Sequence, residues 1–258
     1  FENESAGHFG DWALPLILRG DALISMVSAS ELETKAKEGF LAWATSANEN
    51  YRAIAHVLHN SHDLADGSQL HDLHRLRVEA CLSIVNGHWQ AAVSLTNILL
   101  EMFLKLALIY SNIQERAEAS PPLTAFMGSL ASATQKYRQM NLNNTIDLAH
   151  KQGLFDDATS KSLHTFRKRF RNSFFHADMQ SMFGDETTPI TGVDFGTFEI
   201  EHGDVPISGL PLFWGEAMWQ TAKANAIPYF LEVDSVIRTA LPKVFPNSSK
   251  QPSDGSAS

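Results

Sequence analysis

Hydrophobic and polar positions along the chain alternate mainly with the period of an α-helix. In "SASELETKAKEGFLAWATSANENYRAIAHVLHNS", Leu32, Ala36, Phe40, Trp43, Ala47, Tyr51, Ile54 and Leu58 recur at intervals of three and four, which draws one apolar face. Ser28 or Ser30 ahead of Glu31 and Glu33 supplies a capping-box start. After the break "SHDLADGS", a second helix fits "LHDLHRLRVEACLSIVNG" and ends near Gly87. A third, "WQAAVSLTNILLEMFLKLALIYSNI", is apolar on most sides and so belongs at the centre of a bundle. Pro121 and Pro122 punctuate the chain. Shorter helices fit "LTAFMGSLASATQKYRQM" and "TIDLAHKQGLF".

Asp156 and Asp157 can cap the next helix, whose apolar positions Leu163, Phe166, Phe170 and Phe174 form a helical stripe. The pattern then changes. "TPITGVDFGTFEIEHGDVPISG" alternates in part through Val193, Phe195, Phe198 and Ile200, which predicts a small β-hairpin insertion near 190–208 with a turn at His202-Gly203-Asp204. A closing helix fits "LPLFWGEAMWQTAKANAIPYFLEVDSVIRTAL", with Pro211 near its first turn and a kink or division at Pro228. The expected organisation is an N-terminal segment (1–29), one all-α helical domain (30–245) and a disordered tail (246–258) without internal repeats.

Composition narrows the partners. The 258 residues carry a formal net charge of −9, so contact with nucleic acid is expected only where cations cluster locally. One cysteine, Cys81, excludes a disulfide framework and reads as a buried apolar residue in a reducing compartment. Glu101 and Lys105 interrupt the best candidate for a membrane span, "NILLEMFLKLALIY". No basic region precedes an apolar run at the N-terminus, and Phe1 in place of Met suggests a trimmed start. The expectation is a cytoplasmic protein with no membrane contact.

Several catalytic patterns are absent: no Walker-type loop, no GxGxxG, no kinase signature, no nucleophile elbow and no HExxH. His56, His59 and His62 follow at intervals of three, and His71 and His74 repeat that interval. Histidines one turn apart can share a metal, which leaves a metal-dependent hydrolase as one reading. A loop divides the two groups and no cysteine accompanies them, so solvated or partly buried histidines are the simpler reading and no metal or cofactor is expected.

The densest basic stretch is "FRKRFRNSFFHADM", Phe166 to Met179, in which Arg167, Lys168 and Arg169 precede Arg171, Asn172 and His176. On an α-helix Arg171 and His176 would differ by about 140° and flank one groove, while Asn172 and His176 would lie one turn apart. Imidazole can move protons near neutrality, and guanidinium matches phosphate oxygens. Together they suit a phosphodiester whose own 2′-hydroxyl attacks, which needs no metal. The same spacing also fits an ordinary basic helix face carrying one His.

"RNSFFH" resembles the R-x4-6-H motif of HEPN domains, including the polar residue that often follows the Arg. The preceding "WQAAVSLTNILLEMFLKLAL" is similar to that family's earlier helix, with an acidic position followed by Leu-Lys. The resemblance spans about residues 89–179. It implies an HEPN-like helical bundle and a metal-independent endoribonuclease of a toxin–antitoxin or anti-phage defence system. By the same resemblance His176 would be the acid/base, Arg171 the phosphate-binding group, Asn172 an orienting residue and Glu101 a supporting carboxylate. Arg167, Lys168 and Arg169 would attract RNA. A homodimer across a two-fold axis, and an antitoxin or regulatory partner, are further expectations. The alternative within the family is a non-catalytic helical scaffold that binds a protein or nucleotide. The segment from Thr187 to Gly209 and the Trp-containing helix after it depart from a minimal HEPN domain.

Overall fold

The computed structural model describes residues 29–59, 70–116, 122–172, 178–193, 200–211 and 214–245, with the backbone alone at 29–31, 114–116, 172, 181, 193 and 201. His62, Phe174, His176, Phe195, Phe198, the side chains of Ser28, Ser30, Glu31 and Asn172, most of the N-terminal segment and the tail from 246 lie outside the description.

The fold is mostly helical with one small antiparallel hairpin. Its elements in chain order are α1 (Ala29–His59), α2 (His71–Val85), α3 (Trp89–Arg116), α4 (Leu123–Arg138), α5 (Leu142–Lys151) and α6 (Asp157–Phe166). A π-helical turn (Arg167–Asn172), α7 (Met179–Phe183), β1 (Thr187–Val193), β2 (Ile200–Pro206), a 3₁₀ turn (Ile207–Gly209) and α8 (Trp214–Val244) follow.

The central position predicted for α3 holds. It packs against α8, α2, α4, α5 and the π turn. Leu99, Leu100, Phe103, Leu104, Ala107 and Leu108 are fully buried, together with Thr96, whose hydroxyl donates to the Ala92 carbonyl at 2.7 Å. One membrane expectation fails on its own terms: Trp89–Ile113 is long and apolar enough to cross a bilayer, with a mean hydropathy of 1.8. Glu101 and Lys105 do not disqualify it, because two charges in a long apolar window leave the mean high. Most of that window is buried inside the bundle, as the core helix of a water-exposed fold would also be.

Helix α8 lays Ala222, Ala226, Tyr229, Phe230, Val233 and Ile237 on this core. It runs unbroken through Pro228 and Pro242, so the division expected at Pro228 does not occur. A proline removes one hydrogen bond, and the apolar contacts on either side of Pro228 hold the helix together. Helix α2 ends at Val85 with Asn86 as its C-cap, and Gly87 takes a positive φ of 73° that lets the chain turn directly into α3. Asn141 caps α5 by accepting from the Asn144 amide at 2.9 Å, and Asp156 caps α6 by accepting from the Thr159 amide at 2.8 Å. The hydrogen bonds from Thr159 hold the Asp156 carboxyl below its usual range.

The stripe predicted on α1 forms, but only its end meets the bundle. Ile54 and Val57 are buried, whereas Leu32, Phe40, Trp43 and Tyr51 are exposed. Periodicity marks a face; it does not supply the surface that would cover it.

The hairpin also corrects the sequence reading. His202, Gly203 and Asp204 do not form its turn. They lie inside β2, opposite Thr191, Ile190 and Pro189. The β-branched residues of "TTPITGV" favour a strand, and a two-stranded ribbon tolerates a glycine in register because its neighbours need little packing. The residues between the two strands, 194–199, lie outside the description. A separate small core of Met179, Met182, Phe183 and Ala217, with Ile207 and Trp214 against it, ties the hairpin to the start of α8.

Candidate functional site

The basic stretch does not continue as a regular α-helix. From Arg167 to Asn172 the backbone is π-helical, a wider turn with fewer degrees of rotation per residue. The α-helical geometry expected between Arg171 and the residues beyond it therefore does not start from an α register. Aromatic packing holds this turn in place. Phe170 is fully buried, and its ring lies 5.8 Å from Phe166 and 5.7 Å from Tyr229; Phe166 stacks on Tyr229 at 4.7 Å. The predicted inward stripe of Leu163, Phe166 and Phe170 is thus present, with Phe166 only partly buried.

The turn spreads its cations in different directions. Arg167 is half-buried, its Nε has no hydrogen-bond partner among the described residues, and burial pulls its guanidinium below the usual range; the charge of Arg171 adds to that pull and Asp147 opposes it. Lys168 is exposed and lines a groove beside α5 and α6. Arg169 is exposed, its guanidinium 5.9 Å from the Phe170 ring centre.

Arg171 turns to α3. Its Nη2 lies 3.3 Å from Glu101 Oε2, which joins two residues 70 apart in sequence. Lys105 Nζ donates to Glu101 Oε1 at 2.8 Å and to the Arg138 carbonyl at 3.0 Å. One carboxylate thus holds two cations and, through Lys105, the C-terminal end of α4. All three side chains are part-exposed, at 25% for Glu101, 32% for Arg171 and 20% for Lys105. Glu101 stands in an otherwise apolar run, and here it finds its cationic partners.

These groups edge a cavity of about 630 Å³. Ile98, Met102, Leu106 and Ile109 of α3 form its apolar wall, while Glu101, Lys105, Arg138 and Arg171 form its charged side. Three cations against one carboxylate make this a locally positive place on an acidic chain. Asn97 also lines it. The Asn97 Oδ1 accepts from the Tyr229 hydroxyl at 2.7 Å, and Asn97 is 3% exposed. Burial pushes the Tyr229 hydroxyl well above its ordinary range, with the charge of Arg171 pulling the other way, so it stays a donor. The Asn97 Nδ2 has no partner among the described residues.

Two groups escaped the sequence reading. The first is Asp234 on α8, which accepts from Arg77 of α2 at 2.5 Å and from Arg238 at 2.7 Å, while Arg77 Nη2 donates to the Val57 carbonyl of α1 at 2.7 Å. The second is the groove between α5 and α6, where His150 lies 2.7 Å from Asp157 and His164 lies 3.0 Å from Asp147, with Ser160, Lys161 and Lys168 nearby. Apart from Asp234 and Arg238, one helical turn apart, the paired residues are not close in sequence. The only signal was the Asp156-Asp157 pair, read as a cap. The histidines of α1 and α2 stay apart as ligands: among the described residues no three His, Cys, Asp or Glu side chains are placed to hold a metal. No family model, curated protein or solved structure matches the chain, so the reading of this site rests on its own geometry.

Proposed function

We propose that the protein is a metal-independent endoribonuclease of HEPN type, acting in a toxin–antitoxin or anti-phage setting, with Arg171 and His176 as its working pair. The observation that carries this reading is the meeting of Arg171 with Glu101 beside a locally positive cavity. These are the two positions that the resemblance implies belong to one site.

In this mechanism the ribose 2′-hydroxyl attacks the adjacent phosphorus, and the 5′-oxygen leaves. His176 moves the proton, taking it from the 2′-hydroxyl or giving it to the leaving oxygen. Arg171 offsets the charge that builds on the phosphoryl oxygens. Glu101 aligns the guanidinium, and Asn172 orients substrate or imidazole. Arg167, Lys168 and Arg169 draw the RNA backbone to this side of the molecule. A homodimer would bring two such motifs together.

The expected outcome is RNA cleavage that persists in EDTA and leaves a 2′,3′-cyclic phosphate. It should fall by ~10²-fold or more in Arg171→Ala and in His176→Ala, with unchanged melting curves. Cleavage that survives in both variants ends the assignment. The Glu101 pair also favours a second reading, a non-catalytic scaffold, because Arg171 already has a carboxylate partner. On that reading the purified protein does not cut RNA at any concentration and His176→Ala changes nothing.

A further inference from the structure

The cavity beside Arg171 combines three features that together describe a ligand. Its wall is apolar, from Ile98, Met102, Leu106 and Ile109. Its edge is cationic, from Arg171, Lys105 and Arg138. At its lining sits Asn97, 3% exposed, with an amide nitrogen that donates to nothing among the described residues. The Tyr229 hydroxyl, a donor to Asn97 Oδ1, fixes which way that amide faces. A buried donor left unmade is costly, so the site calls for an acceptor from a bound molecule. A volume of about 630 Å³ exceeds what one water needs and lies in the range of small-molecule pockets.

An apolar ring, a carbonyl acceptor on its edge and a phosphate within reach of cations are what a nucleotide offers such a lining. We propose that this cavity binds a nucleobase bearing a carbonyl oxygen, which accepts from Asn97 Nδ2, while the attached phosphate meets Arg171 and its neighbouring cations. The inference rests on the nuclease reading for its RNA context, and it names the subsite that would give that cleavage a base preference. The apolar wall desolvates the ring, and Asn97 supplies the polar contact that tells a carbonyl-bearing base from none.

The test measures binding of uridine 5′-monophosphate and of ribose 5-phosphate to the full chain by calorimetry, separately from any cleavage assay. Uridine monophosphate should bind at least ~10-fold more tightly than ribose 5-phosphate. Asn97→Asp keeps the acceptor for Tyr229 and replaces the free donor by a carboxylate oxygen. It should weaken uridine monophosphate by ~10-fold or more and leave ribose 5-phosphate little changed. Met102→Trp, which fills the cavity from its wall, should abolish the preference for the base. Equal affinity for the two ligands, or an Asn97→Asp protein that binds uridine monophosphate as well as wild type, overturns the inference. The two proposals fail separately. Cleavage without base binding removes the subsite and leaves the nuclease, whereas base binding without cleavage removes the nuclease and leaves the subsite.

Discussion

The molecule contains two versions of one motif, a carboxylate held between two cations. Asp234 sits between Arg77 and Arg238, and Glu101 between Lys105 and Arg171. The difference is water. The Arg77 and Asp234 side chains are 1% and 5% exposed, whereas Glu101 and Arg171 are 25% and 32% exposed. In the first cluster Arg77 and Asp234 have lost their hydration and depend on each other, with only Arg238 reaching solvent, so the buried pair acts as a staple joining α1, α2 and α8. In the second, solvent reaches the pair, and Arg171 can exchange a carboxylate for a phosphate at little cost. Similar residues in a similar arrangement thus form a buried staple in one place and a solvent-open pair in the other, and the degree of burial divides them.

The comparison makes graded predictions. The largest effect should come from Asp234→Ala, which strands Arg77 in the core and should cost ~3–5 kcal/mol in denaturant unfolding; a loss under ~1 kcal/mol would erase the distinction between the clusters. Next is alkaline pH. Cys81 is buried near the Asp234 cluster, and burial pushes its thiol from 9.0 up to about 12. The folded chain therefore keeps a proton that the unfolded chain releases. The stabilisation is complete below about 9 and should disappear as pH rises towards 12. Stability curves of wild type and Cys81→Ala should diverge over that range, wild type losing more. Tyr229→Phe removes the hydroxyl that anchors Asn97 and should cost ~1–2 kcal/mol, read from the thermal midpoint. The smallest effect is expected for Glu101→Gln, under ~1 kcal/mol and further reduced in 1 M salt. A loss as large as that of Asp234→Ala would make Glu101 a second staple.

What could be read from the sequence follows from the range of the forces involved. Helix positions were legible because period and caps are local: Asp156 was named as a cap and is one. The small hairpin was also legible, although its turn was not, since His202-Gly203-Asp204 has turn composition but lies opposite Thr191 to Pro189. The Asp234–Arg77 pair spans 157 residues, and no spacing rule reaches that far. In α1 the stripe from Leu32 to Tyr51 looked like core because it is apolar, yet the described part of the fold offers it no cover. At the site, Arg171 and Glu101 were named before their contact was seen, whereas Asn97 was not, because an Asn inside an apolar helix carries no distinctive pattern. The π turn was hidden as well, since it arises from how Phe166 and Phe170 seat against Tyr229 rather than from composition.

That π turn makes the site sensitive to counting as well as to chemistry. A π turn accommodates about one residue more than an α turn would between the same two anchors. With Phe166 and Phe170 fixed in the core, Arg171 reaches Glu101 only while this surplus is kept. Winding the same residues as an ordinary α-helix would swing Arg171 by roughly a quarter turn around the axis. A replacement that unseats Phe170 from Tyr229 and lets the stretch rewind would therefore cost the Arg171–Glu101 contact without touching either of its residues.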